Sequence, residues 1–263
     1  MKKEIFISIV IPCYNEEQNL KRGVLREVYD YLITKKYSWE VIVSDDGSTD
    51  KSTEIITSKI KTLNGFRLLK NKHGGKPSSL LFGIKSARGK YVLFSDMDQS
   101  TPIGELEKLI PYTTRDMEVI IGSRGLTRKD FPLYRKLGAY VFSGVRRMMI
   151  LPEIVDTQCG FKLIRTDVLK ELFSELEYFK RKVDTKGWVV SSWDVEFLHM
   201  AKKRGYKIKE VLVAWKDRDV SKNKGGALQK YVKESREMFL QILRIKINEI
   251  RGLYKRSNGK FEK

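Results

Sequence analysis

The sequence predicts an α/β fold, with a mostly parallel β-sheet flanked by helices. Strand-like and helix-like patterns alternate through the first half of the 263-residue chain, and strands separated by helices of such length form parallel βαβ units. Acidic residues directly follow several predicted strands, at the edge where such sheets bind ligands. The hydrophobic content of 41%, with 11% aromatic residues, excludes general disorder and allows a full core.

Short apolar runs predict the strands of the first half, and apolar residues at helical spacing predict its helices. The first run follows a basic start but is short and meets Pro12, so it is predicted to be a strand and not a signal peptide. The predicted elements are, in order, strand Phe6–Ile11, helix Glu17–Thr34, strand Glu40–Ser44, helix Asp50–Leu63, strand Phe66–Leu69, helix Pro77–Ala87, strand Tyr91–Phe94, helix Gly104–Thr114 and strand Glu118–Gly122.

The regular alternation ends after Arg124. We expect a catalytic domain over residues 1–226 and a basic amphipathic helix and tail over 227–263, where ten Lys/Arg face four Asp/Glu. The predicted elements of this half are helix Pro132–Leu151, loop and strand Asp156–Ile164, helix Trp193–Arg204, strand Tyr206–Trp215, polar loop Lys216–Gly226 and a helix from Ala227 to about Arg256.

The formal net charge of +19 predicts an anionic partner, which is nucleic acid, a phospholipid surface or a phosphorylated substrate. Nucleic acid is not expected, because acidic residues gather at the predicted ligand edge, where a polyanion needs cations. No segment approaches the ~20 apolar residues of a bilayer span, so membrane contact is expected to be peripheral. Cys13 and Cys159 lack metal-ligand spacing, which is typical of reduced intracellular thiols.

The predicted strand Tyr91–Phe94 leads into the strongest chemical signal in the chain. It is followed by Asp96 and Asp98, one residue apart, and then by a turn. Carboxylate oxygens at a strand end can hold Mg²⁺ or Mn²⁺, which would in turn hold substrate phosphates. The alternative is a turn in which the acids bind backbone donors.

Two further polar clusters follow the first and second predicted strands. Tyr14, Asn15 and Glu16 follow the first strand, and Asp45 and Asp46 follow the second, ahead of a glycine turn. Carboxylates at these positions can accept hydrogen bonds from a base or a ribose. A tight turn that caps the next helix is the alternative for Asn15.

The motifs at successive strand ends are Pro12-x-Tyr14-Asn15-Glu16, Asp45-Asp46-Gly47-Ser48-x-Asp50 and Asp96-x-Asp98. This ordered set resembles family 2 glycosyltransferases, which have the GT-A fold. Further motifs are similar to those of polyprenyl-phosphate hexosyl transferases, the dolichyl-phosphate glucose and mannose transferases and their bacterial relatives. These motifs are Gly122-Ser123-Arg124, Asp156-Thr-Gln-Cys-Gly160-Phe161-Lys162, Trp193-Asp194-Val-Glu196 and the stretch from Trp215 to Ser221-Lys222.

The resemblance implies a nucleoside-diphosphate sugar as the donor. Its nucleoside would be cradled by Pro12, Tyr14, Glu16, Asp45 and Asp46. The stretch Asp98-Gln-Ser-Thr-Pro102 is closer to the glucosyl branch than to the mannosyl branch, which favours UDP-glucose over GDP-mannose.

The resemblance also implies a divalent metal, Mg²⁺ or Mn²⁺, beside the diphosphate. Asp96 and Asp98 would flank the metal, while Arg124 and Lys222 would face phosphates. A metal and a fixed cation can stabilise the charge that gathers on a departing nucleoside diphosphate. Ser100 replaces a glutamine of the mannosyl relatives that would help to hold the metal, which leaves a third protein ligand undefined.

The implied reaction is inverting transfer of a hexose to a polyprenyl phosphate, such as dolichyl or undecaprenyl phosphate. Transfer to a saccharide hydroxyl is the alternative. A phosphate oxygen is already ionised near neutral pH, whereas a hydroxyl requires a base, for which Asp194 is the candidate. We expect Asp194 near the acceptor phosphate or donor sugar in a mixed role; stabilisation of a helix dipole is its structural alternative.

The helix Pro132–Leu151 and the helix after Ala227 both mix Lys/Arg with large apolar residues, as interfacial helices do. The first is expected to contact the membrane. For the second, docking on its own domain and contact with lipid both stay open. We therefore expect a cytoplasmic enzyme held peripherally at the cytoplasmic face of a membrane, with recruitment by a membrane protein left open.

One glycine-rich motif, His73-Gly74-Gly75-Lys76, precedes a helix without the full P-loop spacing. An ordinary loop is favoured there over a phosphate site. Neither His73 nor His199 has a partner motif, so neither is predicted to be a ligand.

Overall fold

The computed structural model describes residues 4–125, 143–180, 193–220 and 228–255, with side chains from residue 236 onward in the last range. The seven strands of this part of the chain are β1 (Ile7–Cys13), β2 (Trp39–Asp45), β3 (Phe66–Lys70), β4 (Tyr91–Phe94), β5 (Val119–Ser123), β6 (Lys162–Arg165) and β7 (Ile208–Leu212). They form one sheet in the order β3-β2-β1-β4-β6-β5-β7. Only β6 runs antiparallel to its neighbours, β4 and β5, so the predicted mostly parallel sheet is confirmed.

Helices cover both faces of the sheet. They are α1 (Glu17–Lys21), α2 (Val24–Leu32), α3 (Ser52–Lys59), α4 (Lys76–Ser86), α5 (Leu106–Leu109), α6 (residues 143–149), α7 (Thr166–Leu172), α8 (Glu177–Lys180), α9 (Trp193–Lys203) and α10 (Leu228–Ile250). Each of the seven predicted strands is present, and β4 has the predicted bounds.

Three predicted helices of the first half are interrupted. The predicted helix Glu17–Thr34 is two helices, because Gly23 between α1 and α2 has a φ of 91°, which an α-helix does not allow. The predicted helix Asp50–Leu63 is α3 followed by the 3₁₀ turn Ile60–Thr62. The predicted helix Gly104–Thr114 is α5 between two 3₁₀ turns, the second of which contains Pro111, which lacks a backbone donor.

The hydrophobic core lies in two layers, one on each face of the sheet. Side chains alternate between the layers along β1, with Val10 in one and Ile9 and Ile11 in the other. The layer that contains Val10 also includes residues of α4, α7 and α9, whereas the other includes residues of α1, α2, α3 and α5. The sheet is thus packed between helices on both faces, and the residues at the carboxyl ends of its strands are attached to a packed core.

The carboxyl-terminal helix α10 docks on the domain with one of its faces. Ile242 and Ile245 have no exposed surface and belong to the same core layer as Val10. Tyr254, just after the helix, is also buried there and donates a hydrogen bond from its hydroxyl to Glu196 Oε1 at 3.0 Å. The described residues include no helix that is both long and apolar enough to cross a bilayer.

The predicted helix Pro132–Leu151 is described only from residue 143, and residues 126–142 lie outside the described part. Arg146 was expected to be among the cations of a lipid-facing helix, but it is 1% exposed. Its guanidinium donates to the carbonyl oxygens of Ile154 and Val155, both at 2.8 Å. That expectation is wrong for Arg146, because the side chain turns inward to close the loop after α6.

Candidate functional site

The ends of three adjacent parallel strands bring the predicted motifs to one edge. In the register of β1 and β2, Cys13 stands opposite Asp45, while β4 pairs with β1 on its other side. The residues that follow these strands are therefore neighbours in space, although up to about eighty positions separate them in sequence.

The carboxylate of Asp45 organises the turn that follows β2. Its Oδ1 accepts hydrogen bonds from the backbone N–H and the hydroxyl of Ser48, at 3.2 and 2.5 Å, and its Oδ2 accepts from the Thr53 hydroxyl at 2.5 Å. The side chain of Asn15 closes the turn from β1, since its Oδ1 accepts from the N–H of Thr49 at 2.8 Å. Asn15 has a φ of 55°, in agreement with the tight turn considered for it.

Asp46 holds the glycine-rich loop before α4. Its two carboxylate oxygens accept the N–H groups of Gly74 and Gly75, at 2.9 and 2.8 Å, and His73 Nδ1 lies 2.9 Å from its Oδ2. Burial raises the pKa of Asp46, against these hydrogen bonds. The His73 ring also stacks on Tyr14, with centroids 4.3 Å apart. This loop thus forms a wall beside the predicted nucleoside position.

Glu16 is an acid of this edge whose pKa is raised by burial. Burial raises its pKa to about 7, assisted by the charges of Asp219, Asp98 and Asp96, while a hydrogen bond from Asn19 Nδ2 at 2.6 Å opposes the shift. A carboxyl with a pKa near neutrality is unusual outside functional sites. The raised pKa of Glu16 makes this side chain a candidate for a functional role at the edge.

Asp96 faces a cation that the sequence analysis assigned to an ordinary loop. Lys76 Nζ lies 2.5 Å from Asp96 Oδ1, and the two side chains keep 31% and 38% of their surface exposed. Burial disfavours the charge on Asp96, but Lys76, with Lys162 and Arg124 farther away, outweighs it and lowers the pKa. The sequence did contain an indication of this role, because Lys76 begins a helix directly after two glycines. It was not used, because the motif lacks the spacing of a P-loop.

Gly160 allows Asp96 to reach this position. A Cβ atom on Gly160 would lie 2.1 Å from Asp96 Oδ2, well inside van der Waals contact. The motif around Gly160 thus packs directly against the carboxylate, which explains in physical terms why a residue without a side chain stands there.

Asp98 belongs to the same cluster and is held by its own turn. Its oxygens accept the N–H and the hydroxyl of Ser100, both at 2.8 Å. Burial and the charge of Asp96 raise the pKa of Asp98. Arg22 fixes the backbone, since its Nη2 donates to the Asp98 carbonyl oxygen at 2.5 Å.

The donor set fits a divalent metal bound jointly with a substrate. Asp96 and Asp98 offer hard carboxylate oxygens, and Mg²⁺ is commonly held by one or two carboxylates together with substrate phosphates. The described residues contain no group of three or more His, Cys, Asp or Glu that could enclose a metal unaided. The hydroxyl of Ser100 is engaged with Asp98, and Asp96 and Asp98 are the two carboxylates that the sequence predicted as metal ligands.

Arg124 is held by a bidentate ion pair. Its Nε and Nη2 donate to the two oxygens of Asp156 at 2.7 and 2.9 Å. Asp156 is itself positioned by Glu210, which accepts the Asp156 N–H at 2.7 Å. The guanidinium is therefore fixed at the edge, and its charge contributes to the lowered pKa of Asp96.

Asp194 lies in the first turn of α9, buried with 7% exposure. Its Oδ1 accepts the N–H of Val195 at 2.9 Å, and its Oδ2 lies 4.0 Å from Lys162 Nζ. Burial raises the pKa of Asp194, although Lys162 opposes the shift. Lys162 is 1% exposed and was not assigned a role, because a lysine within an apolar strand gives no periodic signal.

The chain after β7 returns to the edge. The N–H of Lys216 donates to the Ser100 carbonyl oxygen at 2.9 Å, and Asn19 Nδ2 donates to Asp219 Oδ1, also at 2.9 Å. Lys222, the predicted phosphate-facing residue of this segment, lies outside the described residues, which stop at 220 and resume at 228.

The chain is an α/β protein with carboxylates and cations at the ends of its central strands, where open sheets of this class bind ligands. The Glycosyl transferase family 2 pattern matches residues 8–173. The dolichyl-phosphate beta-glucosyltransferase of Dictyostelium discoideum is 30% identical over 270 residues, which cover 95% of this chain and 77% of that protein. Its Saccharomyces cerevisiae counterpart is 31% identical over 243 residues, covering 84% and 70%. The chain belongs to glycosyltransferase family 2.

Solved structures share the GT-A fold with this chain. Mannosyl-3-phosphoglycerate synthase from Rubrobacter xylanophilus has a TM-score of 0.63 at 12% identity, covering 98% of this chain and 79% of that one. Glucosyl-3-phosphoglycerate synthase from Mycobacterium tuberculosis, solved with Mn²⁺, uridine diphosphate and glucosyl-3-phosphoglycerate, has a TM-score of 0.60 at 16% identity, covering 92% and 80%. The predicted fold class is thereby confirmed.

Proposed function

We propose that this glycosyltransferase moves glucose from UDP-glucose to a polyprenyl phosphate of the dolichyl or undecaprenyl type, with inversion at the anomeric carbon. The relatives named dolichyl-phosphate beta-glucosyltransferase support the sugar and the acceptor. The observation that carries the proposal is the pair Asp96 and Asp98 after β4, beside Lys76 at the shared strand edge.

We propose that Asp96 and Asp98 hold Mg²⁺ or Mn²⁺ together with the donor diphosphate. When bound, the metal supplies positive charge that stabilises the departing nucleoside diphosphate. Lys76, whose Nζ lies 2.5 Å from Asp96 Oδ1, would face the phosphates of a donor held beside Asp96. Arg124 and Lys222 are proposed to add further positive charge on the same side.

The nucleoside is proposed to occupy the edge beside β1 and β2. Tyr14, stacked on His73, offers an aromatic face to the base, and Glu16 offers oxygens to ribose or base donors. Pro12, Asp45 and Asp46 are the remaining residues proposed to shape this cradle.

In the proposed reaction an acceptor phosphate oxygen forms a bond to the anomeric carbon. The bond from that carbon to the diphosphate oxygen breaks, and its electron pair leaves with the nucleoside diphosphate. Because the attacking oxygen is already ionised, the protein has to position it and balance charge rather than remove a proton. Lys162 is buried, with its ammonium bonded to the Cys159 carbonyl oxygen, and is proposed to offset the negative charge of Asp194 near the acceptor phosphate.

The acceptor places the proposed reaction at a membrane. We propose that the enzyme is cytoplasmic and held peripherally at the cytoplasmic face, where an anionic lipid surface or a membrane protein receives it. GDP-mannose is retained as the alternative donor for the same lipid reaction.

A direct test is transfer of label from UDP-glucose, and in parallel from GDP-mannose, into vesicles that carry polyprenyl phosphate. The expected result is label in the lipid phase from UDP-glucose, with Mn²⁺ or Mg²⁺ but not with chelator. Metal-dependent release of nucleotide without labelled lipid would overturn the lipid acceptor.

Transfer to a saccharide hydroxyl is the second candidate function, and burial of Asp194 with a raised pKa is the observation that favours it. An Asp194→Asn variant separates the two candidates. A hydroxyl acceptor requires a base and predicts a loss of ~10²-fold or more in kcat. A phosphate acceptor predicts a smaller loss, measured with the same labelled donor.

A further inference from the structure

The helix α10 has a second apolar face besides the one that docks. Phe239, Leu243, Ile247 and Ile250 follow each other at intervals of four, four and three residues, which places them along one side of an α-helix. The docked residue Ile242 is on a different side of the helix, because one position along the chain rotates the side chain by about 100°. Both faces run through the same segment, and among the described residues it is the face of Ile242 and Ile245 that packs into the core.

Large apolar side chains of this outer face are exposed to solvent. Phe239 is 43% exposed, Ile247 46% and Ile250 77%, and Leu253 just beyond the helix is 53% exposed. Single exposed apolar residues are ordinary, but a continuous row on one helix face marks an interaction surface. The row therefore requires a partner that covers apolar side chains.

The charges along this segment identify the kind of partner. Residues 236–255 contain five Lys/Arg and two Asp/Glu, and Arg236, Arg251 and Lys255 are exposed. One of the two acids, Glu249, turns to the domain side, where Lys203 and Lys246 are its ion-pair partners. An apolar row flanked by cations fits an anionic lipid surface, in which acyl chains receive the row and headgroups receive the cations.

A second copy of the chain fits this face less well. Pairing two such faces would bring their exposed cations toward one another, and like charges that approach in an interface are unfavourable. A bilayer with anionic headgroups would instead attract these cations, and its acyl chains would cover the exposed apolar side chains.

We propose that the outer face of α10, defined by Phe239, Leu243, Ile247 and Ile250, is a docking surface for an anionic bilayer. This rests on the proposed function, because it places the enzyme where a lipid acceptor would be found. Tyr254 connects α10 to Glu196 of α9, and the same helix carries Asp194 in its first turn. The docking face and the acceptor end of the site thus belong to one packed unit.

The test compares the wild-type protein with an Ile247→Glu/Ile250→Glu variant in sedimentation with vesicles. Vesicles of phosphatidylcholine alone are used beside vesicles that contain phosphatidylglycerol. Wild type is expected to bind the anionic vesicles, more weakly as salt rises, and the variant is expected to bind at least ~10-fold more weakly. Ile33→Glu is the matched control, since Ile33 is 53% exposed on a different helix end, and it is expected to bind like wild type.

Equal vesicle binding by wild type and the double variant would overturn the proposal. Analytical ultracentrifugation of both proteins supplies a further decisive outcome, because a wild-type dimer that the variant dissolves would assign the face to a second copy. Transfer to detergent-solubilised polyprenyl phosphate separates this proposal from the proposed reaction. The variant is expected to keep this activity. If the wild-type protein itself showed no transfer, the proposed reaction would be overturned and not the docking surface.

Discussion

Aspartates stand at the ends of β2 and β4, the two strands that flank β1, yet the fold treats them differently. Asp45 and Asp46, at the end of β2, are each 2% exposed, and together they accept hydrogen bonds from backbone and side-chain donors of the surrounding loops. Asp96, after β4, is 38% exposed at its side chain and has a lysine as its partner. The oxygens of Asp45 and Asp46 are thus engaged by hydrogen bonds within the protein, whereas Asp96 is paired with the end of a long lysine side chain.

This difference distinguishes carboxylates with a structural role from carboxylates that are available to bind a ligand. A carboxylate that accepts several fixed N–H groups holds loops in place, and its loss is a loss of stability. A partly exposed carboxylate opposite a flexible ammonium can exchange that partner for a metal at little structural cost. All these aspartates look alike in the sequence, and Asp98 is also held by Ser100, so the number of fixed hydrogen-bond donors is what distinguishes Asp45 and Asp46 from Asp96.

The largest effect is expected for Asp96→Asn. The change removes a proposed metal ligand and the negative charge that positions Lys76, so kcat/KM for sugar transfer is expected to fall by ~10³-fold or more. The free energy of unfolding is expected to change by less than about 1 kcal/mol, because the ion pair is partly exposed. Steady-state kinetics and urea unfolding measure the two quantities.

Asp30→Asn is the control for that variant. Asp30 forms an exposed ion pair with Arg26 on α2, and its loss is expected to leave activity and stability unchanged. A variant of Asp96 that keeps more than a tenth of wild-type activity would break the comparison.

Asp46→Asn is expected to show the opposite pattern. An amide NH₂ in place of one oxygen would face the N–H of Gly74 or Gly75, so one buried hydrogen bond becomes a donor facing a donor. The expected decrease in the free energy of unfolding is about 1–3 kcal/mol, measured by urea denaturation. If Asp46→Asn left stability unchanged, the carboxylate would not be holding this loop.

The last expected effect concerns Glu16 and pH, and it develops only as the pH rises. Because its pKa is raised from near 4.5 to about 7, the folded protein binds a proton that the unfolded chain releases in this interval, so stability falls as pH rises through it. Glu16→Gln removes this titration, and its stability relative to wild type is expected to increase by about 2 to 3 kcal/mol between pH 4.5 and 8.

Urea unfolding of Glu16→Gln and wild type across that pH range checks this expectation. Glu237→Gln, at an exposed position of α10, serves as the control and is expected to follow wild type. Parallel curves for wild type and Glu16→Gln would show that Glu16 is not destabilised by its burial.

The sheet and its acidic edge could be predicted from sequence because their signals are local. A buried strand such as β4 is a short apolar run, and the aspartates come directly after it. The break at Gly23 was missed because a glycine within a helical pattern is usually tolerated. The helices α7 and α8 were not predicted, since segments this short provide few helical repeats.

Arg124 and Lys222 were predicted as cations of the site, but Lys76 and Lys162 were not, because their pairing depends on tertiary structure. Lys76 meets Asp96 across twenty residues of sequence, and Lys162 meets Asp194 across thirty-two. The inward turn of Arg146 likewise depends on the carbonyl groups of a loop that its own helix does not contain. Sequence patterns indicate that such residues are charged, but the fold determines which charge faces which.

The most direct test of the account is calorimetric titration of UDP into wild type and Asp96→Asn, each with Mn²⁺ and with chelator. We predict that Mn²⁺ strengthens UDP binding to wild type by ~10-fold or more and has little effect on Asp96→Asn, because Asp96 is a proposed metal ligand. UDP binding to wild type that is the same with Mn²⁺ and with chelator would contradict the account. So would an Asp96→Asn variant that retains the full effect of Mn²⁺.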